Sequence, residues 1–151
     1  MALNALFSIA RRANAPESDA EFLVACWRMV ASGDANSPRL IRAFAGRYGE
    51  DAEAIFERFF IFLRALAQGT RRQLIIGRPG HGHLTMDEYQ VTSMLRAAQM
   101  ENIDALDAHL SWLTKEEGRK AVSAAAQDLA LALTASDTQG LQTSNDIKSV
   151  H

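Results

Sequence analysis

Two histidines one residue apart, His81 and His83, form the segment of this sequence best suited to chemistry. Imidazole nitrogens are common ligands of divalent metals, and two such rings can reach one ion. Asp87 follows in the first turn of the next predicted helix and could complete the set with a carboxylate. We therefore take His81, His83 and Asp87 as candidate metal ligands. The alternative is a solvated, glycine-rich turn, since the paired ligand groups typical of zinc sites do not occur.

A cationic site is a second candidate at the same place. Arg71, Arg72 and Arg78 lie on both sides of the apolar run Leu74-Ile75-Ile76, and the glycine-rich segment leads into a predicted helix that starts at Met86. Backbone N–H groups at the start of a helix bind anions. This pattern leaves anion or nucleic-acid binding open, but no nucleotide-binding glycine motif occurs. The net charge of -2 also gives no general attraction to nucleic acid.

Residues for covalent catalysis are not apparent in the sequence. It contains no G-x-S-x-G motif, and its single cysteine, Cys26, lies in an apolar helical pattern that predicts a buried thiol. We assign no catalytic residue and expect no cofactor, with a divalent metal kept as an alternative. The candidate binding residues are Arg78, His81, His83 and Tyr89.

The rest of the sequence predicts helices that position this segment. Helical patterning stops only between Leu74 and Thr85, where three glycines and a proline fall close together. We expect an all-α fold, a single bundle of about seven helices with one glycine-rich central loop that projects from it. The chain divides into one helical domain, 1–135, and a polar tail, 136–151, expected to be disordered because it lacks periodicity.

Helix boundaries follow from capping signals. Three capping boxes are predicted, at Ser18-Asp19-Ala20-Glu21, Thr85-Met86-Asp87-Glu88 and Thr114-Lys115-Glu116-Glu117. The most apolar helix, Asp51 to Gln68, carries four of the seven phenylalanines and is predicted to be central, with Gly69 as a left-handed C-cap. A short amphipathic helix is expected over Ala2 to Ala13.

The order of these features resembles a group of small helical bacterial proteins with no assigned function. The resemblance rests on the phenylalanine-rich helix, Arg71-Arg72 with its apolar run, the proline-containing loop and Leu84-Thr85-Met86-Asp87-Glu88. It covers about Ala20 to Ala135 and implies a bacterial, all-helical protein. Members of the group have cysteines in this loop, where the present chain has Gly80, His81, Gly82 and His83.

Trp112 is the candidate interface residue. It lies opposite the predicted inward stripe Ile103, Leu106, Leu110 and Leu113, so a helix that buries the stripe turns the indole outward. Either a two-fold homodimer or the N-terminal arm would then cover it. We expect a non-catalytic interaction or regulatory protein that acts through protein–protein contacts, with a metal-binding protein or small enzyme as the alternative. No membrane span is expected, and the expected location is cytoplasmic.

Overall fold

A computed structural model describes the backbone of residues 18–149 and the side chains of residues 18–137. This part of the chain is all-helical and contains no named strand. The predicted helix over Ala2 to Ala13 lies outside the described residues, so the predicted count of about seven helices is not confirmed. The described helices are α1 (Asp19–Ala31), α2 (Pro38–Tyr48), a 3-10 turn (Gly49–Asp51), α3 (Ala52–Gly69), α4 (Met86–Gln99), α5 (Ile103–Leu113) and α6 (Glu116–Ser149).

Helix α3 lies in the core, as its composition predicts. It packs most extensively along α6, which also contacts α4 and α5. Its buried residues, Ile55, Phe59, Phe62 and Leu66, recur every three or four positions and so form one continuous face. Phe59 also joins an aromatic cluster with Phe44 of α2, at a ring-centroid distance of 5.5 Å.

Gly69 has a different role from the predicted C-cap, so that prediction is wrong. Positive φ angles occur at Gly33, Gly49 and Gly80 among the described glycines, but Gly69 is the last helical residue of α3. It is buried against Gly118 in the first turns of α6. A Cβ atom added at Gly118 would lie 2.9 Å from the Gly69 carbonyl oxygen, so the two backbones touch without intervening side chains.

Capping of α4 is confirmed, whereas capping of α6 differs from the prediction. Thr85 accepts from the Glu88 N–H, and Glu88 accepts from the Thr85 N–H, which completes a capping box. At α6 the helix begins at Glu116, so Thr114 is too early to cap it. The Thr114 hydroxyl instead donates to the Leu110 carbonyl of α5, and its backbone forms an isolated antiparallel bridge with Thr70.

Two further sequence expectations change in the structure. The sequence predicts that the helical domain ends at residue 135, but the backbone of α6 is helical to Ser149, because each residue added to an existing helix gains one hydrogen bond. Polarity alone therefore did not end it. On α5, Leu106, Leu110 and Leu113 are buried as predicted, but Ile103 is exposed because it lies in the first turn, at the edge of the packed surface.

Candidate functional site

The segment between α3 and α4, residues 71–85, contains turns and bends but no helix or strand. It was predicted to project from the bundle, but two buried carboxylates and one buried arginine hold it against α1 and α4. We call residues 71–85 the central loop.

Arg28 of α1 connects the central loop to Glu88 of α4. Its guanidinium donates two hydrogen bonds of 2.8 Å to the Glu88 carboxylate, from Nε to Oε2 and from Nη2 to Oε1. It also donates to the carbonyl oxygens of His81 at 2.7 Å and His83 at 2.9 Å. Both charged side chains are almost completely buried. A bidentate arginine pair of this kind fixes orientation as well as distance.

Glu88 extends the same network to the loop backbone. Its carboxylate accepts from the N–H of Gly77 at 3.0 Å and from the N–H of Thr85 at 2.8 Å. A Cβ atom at residue 77 would lie 2.9 Å from the Arg28 guanidinium, so only glycine allows this approach without displacement. The Arg28–Glu88 pair therefore holds both ends of the loop segment 77–85.

Asp87 holds the first half of the loop in a similar way. Arg72 donates two hydrogen bonds to its carboxylate, at 2.7 and 2.8 Å, and the Ile75 N–H donates a third at 2.6 Å. The Asp87 carboxylate is buried, whereas the Arg72 side chain is largely exposed. Asp87 is thus a structural acceptor for the loop.

The electrostatics of both carboxylates follow from these partners. Arg72 lowers the pKa of Asp87, and the Ile75 N–H adds to this, against the opposing effect of burial. For Glu88, burial by itself raises the pKa, but the hydrogen bonds from Arg28, Thr85 and Gly77 outweigh burial and hold the pKa below its usual value. Both groups are therefore carboxylates at neutral pH.

The two histidines face away from this network. Their backbone carbonyls accept from Arg28, but both side chains are exposed, and the ring centroids lie 6.1 Å apart. They form one wall of an open groove of about 560 Å³, whose other walls come from α1, the link between α1 and α2, and the start of α2, and include Glu21, Asp34 and Arg39. Polar and apolar surface line the groove in about equal shares, and its charged side chains are of both signs.

The candidate metal ligands do not form a ligand set in this conformation. Asp87 is saturated by Arg72 and Ile75, on the buried side of the loop, while His81 and His83 are exposed. Within the described residues, no group of three or more histidine, cysteine, aspartate or glutamate side chains is placed to hold a metal ion. His81 and His83 lie next to each other, but among the described residues no third side chain is placed to bind the same metal ion.

The three candidate arginines also do not converge as free charges. Arg71 donates to the Ser111 carbonyl near the end of α5, at 3.1 Å, and Arg72 is paired with Asp87. Arg78 remains exposed on the central loop. The structure therefore uses two of these arginines to attach the loop to its neighbours.

Large apolar side chains remain at the surface around Thr85. The Thr85 hydroxyl donates to the Ile75 carbonyl at 2.7 Å, which places Ile75 beside the start of α4. Leu84 and Met86 flank Thr85 in sequence, and Tyr89 lies one turn after Met86. All four are exposed, Met86 by 74%. We call Ile75, Leu84, Met86 and Tyr89 the loop face.

Sequence reasoning missed Arg28 as a site residue and assigned Glu88 only to the capping box. One signal was present, because Arg28 is the only charged residue in the apolar run from Phe22 to Ala31. A lone arginine in such a run needs a buried acceptor or an exit to solvent. Neither the partner nor the two carbonyls could be identified from spacing.

Comparisons with known proteins add no assignment to this geometry. No protein-family model, curated protein or solved structure matches the chain. The resemblance to small helical bacterial proteins therefore stays an expectation. Among the described residues, no helix is long and apolar enough to cross a membrane.

Proposed function

We propose that this chain is a non-catalytic interaction protein that binds another protein through its loop face. The observation that carries this proposal is the concentration of exposed Ile75, Leu84, Met86 and Tyr89 around one anchored turn. Adjacent exposed apolar side chains on a small domain are typical of interaction surfaces. Methionine and tyrosine are also enriched at such surfaces.

Rigidity supports a binding role for this surface. The backbone beneath it is held by the Asp87 and Glu88 carboxylates, which accept from Ile75, Gly77 and Thr85. A surface that is ordered before binding loses less entropy when a partner docks. The anchoring network thus prepares the loop face for association.

The pairing of polar groups gives the buried carboxylates next to the loop a structural role. Within the described residues, no buried side-chain nitrogen or oxygen is without a hydrogen-bond partner. Asp87 and Glu88, the buried carboxylates next to the loop, are each engaged by an arginine and by backbone N–H groups. An acid or base in such a network is occupied in holding the fold.

The charge of the central loop defines the partner's chemistry. Residues 70–86 contain three arginines and two histidines but no acidic residue. Arg72 is neutralised by Asp87, whereas Arg78 stays at the surface. We therefore expect a partner segment that combines apolar side chains with carboxylates, since complementary charge favours encounter and orientation.

Site-specific photo-crosslinking tests this proposal. A photoreactive phenylalanine analogue replaces Tyr89 in the full chain, and this variant is expressed in the cells in which the protein naturally occurs. The same analogue at Ile61 on α3, which is also exposed, is the matched control. We expect a discrete adduct with one protein from position 89 and none from position 61. Met86→Glu should abolish the adduct, and the purified partner should bind wild type at least tenfold more tightly than this variant. Equal adducts at both positions, or none, would contradict the proposal.

A further inference from the structure

Residues 73–78 of the central loop form an extended segment that contains no turn, bend or helix. The N–H groups of Ile75 and Gly77, two positions apart, donate to the two buried carboxylates of α4, at 2.6 and 3.0 Å. The Ile75 carbonyl accepts from the Thr85 hydroxyl on the same side. Backbone groups of alternate residues on one side are the pattern of a β-strand. One edge of this segment is therefore paired with the start of α4.

The opposite edge of the same segment is unpaired. In an extended strand the alternate residues, Leu74 and Ile76, direct their N–H and C=O groups away from α4. No hydrogen bond joins these groups to another described residue. Burial alternates as well, because Leu74 and Ile76 pack partly buried against the core while Ile75 is 65% exposed. An unpaired strand edge is a template for pairing with another chain.

A cleft of about 490 Å³ opens beside this edge. Its lining is mostly apolar and comes from α1, α3 and the central loop, with Trp27, Leu63, Leu66, Ala67, Leu74 and Ile76 as its main residues. Leu74 and Ile76 thus belong both to the lining and to the unpaired edge. Side chains of neighbouring strands share a face. A strand added at this edge would therefore place alternate side chains in the cleft.

Trp27 gives the cleft an unused hydrogen-bond donor. Its side chain is only 7% exposed, and its indole N–H bonds to no described group. Since no buried side-chain nitrogen of the described residues lacks a partner, this N–H reaches the surface. The indole N–H is a donor only, so a carbonyl or carboxylate oxygen of a bound chain is the group that fits it.

Charge selects among the chains that fit such a cleft. Among the described residues that line it, Arg72 is the only charged one. Arg72 is balanced by its partner on α4, but Arg64 is exposed on the same turn as the lining residues of α3. The segments 22–33 and 58–86, which supply the lining, contain no acidic residue. An acidic chain is therefore favoured over this protein's own N-terminal arm, which carries Arg11-Arg12.

We propose that the edge at residues 74–76 and the adjoining cleft bind an extended segment of another protein, with alternate apolar side chains and carboxylates between them. The segment adds a strand to the loop, and its apolar side chains enter the cleft. A small apolar ligand would fill the cleft but leave the backbone edge unpaired. The site lies on the edge away from α4 and the loop face, so it does not rest on the function proposed above.

Two sets of synthetic hexapeptides test this site. Alternate positions hold leucine, valine, phenylalanine or methionine, and the positions between them hold glutamate in one set and lysine in the other. Trp112 is 80% exposed on α5, and Trp112→Phe leaves Trp27 as the only tryptophan, so its emission reports binding. We expect the best glutamate peptides to bind with a dissociation constant of about 10–300 μM, at least about tenfold more tightly than their lysine counterparts. No binding by the glutamate set up to about 2 mM, or equal binding by both sets, would overturn the proposal.

N-methylation of the best glutamate peptide tests the strand pairing. The N–H groups of alternate residues in an extended peptide face opposite edges. Methylating one alternate set should abolish binding, and methylating the other should leave the affinity within about threefold. Bound peptide should also slow hydrogen exchange at Leu74 and Ile76 at least about tenfold, since these amides gain acceptors. Equal effects of the two methylation patterns would contradict strand addition.

Two substitutions on α3 test the cleft. Ala67→Glu places a carboxylate in the lining and should weaken binding of the glutamate peptide at least about tenfold. Ala54→Glu, also at an exposed alanine of α3 but outside the lining, is the matched control and should leave binding unchanged. Circular dichroism and thermal unfolding establish that both variants are folded. Unchanged binding in Ala67→Glu would show that the peptide does not occupy the cleft. Met86→Glu should bind the peptide like wild type, so a failed cleft test and a failed loop-face test remain distinguishable.

Discussion

At the scale of single residues, the Arg28–Glu88 pair is the main determinant of the candidate site. Arg28 donates four hydrogen bonds, two to the Glu88 carboxylate and two to backbone carbonyls of the loop. The Glu88 carboxylate also accepts from two N–H groups of the loop. Removing one member would leave a buried charge without its counter-ion, which costs far more than the net contribution of the intact pair.

Glu88→Gln should therefore reduce the free energy of unfolding by about 3–5 kcal/mol. The amide keeps the size of the side chain but cannot balance the charge of Arg28. Glu57→Gln, which changes an exposed glutamate of α3, serves as the matched control and should change the free energy of unfolding by less than about 0.5 kcal/mol. Urea denaturation at pH 7 measures both. Similar small losses in the two variants would show that the pair does not anchor the fold.

The same carboxylates should make the domain sensitive to acid. Folded-state pKa values of Asp87 and Glu88 lie below the ordinary values of 3.8 and 4.5, so folding favours their charged forms. This stabilisation is fully present above pH 4.5 and is lost as the pH falls through the lowered pKa values. Urea denaturation from pH 7 to pH 2.5 should show the decline, and Arg28→Met/Glu88→Leu should show a shallower one. Equal slopes would assign the acid sensitivity to other groups.

Sequence alone predicted part of this arrangement. Thr85 and Glu88 were recognised as a capping box because both residues lie within four positions of each other, where helix geometry fixes their distance. Arg28 lies on another helix, and a long-range contact of this kind leaves no fixed spacing in sequence. The carbonyls of His81 and His83 leave no signal either, since every residue has one. Their side chains predict metal binding, whereas in the structure it is their backbone carbonyls that contact Arg28.

At the scale of helices, the contact between Gly69 and Gly118 sets the distance between α3 and α6. A Cβ at Gly69 would meet a Val122 methyl at 3.0 Å, and one at Gly118 would meet the Gly69 backbone. The Lys115 N–H donates to the Gly69 carbonyl at 2.8 Å, which adds a hydrogen bond at the same crossing. The sequence indicated a thin α6 but could not identify the glycine against which it packs.

Gly118→Ala should destabilise the domain by about 2–4 kcal/mol, because a backbone segment must move to make room. Gly46→Ala is the matched control, since Gly46 lies inside α2 with nothing within 4 Å of an added Cβ. That change should stabilise the domain by about 0.5–1 kcal/mol through the higher helix propensity of alanine. Thermal and urea unfolding of both variants measure the difference. A neutral Gly118→Ala would mean that the helices separate at little cost.

At the scale of the whole molecule, the sequence predicted the all-α class and the central position of α3 correctly. Both follow from composition and apolar periodicity, which depend on many residues at once. The end of α6 was not predicted, because the segment after Ser136 lacks the apolar period on which the assignment depended. Its backbone is helical to Ser149.

Removing residues 138–151 should leave the thermal midpoint within about 2 °C of wild type. This segment is polar and its sequence has no apolar stripe, so it has little with which to stabilise the bundle. Removing residues 130–151 is the matched comparison. That deletion takes away Leu133, which is buried, and should lower the midpoint strongly. A large fall after the shorter deletion would show that the end of α6 contributes to the core.

The carboxylate of Glu88 has one more consequence, for the rate at which loop amides exchange their protons with water. Gly77 and Thr85 belong to a segment without helix or strand, where rapid exchange is the usual behaviour. Their N–H groups nevertheless end on a buried acceptor that is itself held by Arg28. Exchange at these two positions requires the loop to move away from the buried Glu88 carboxylate, so both amides should exchange more slowly than is usual for a loop.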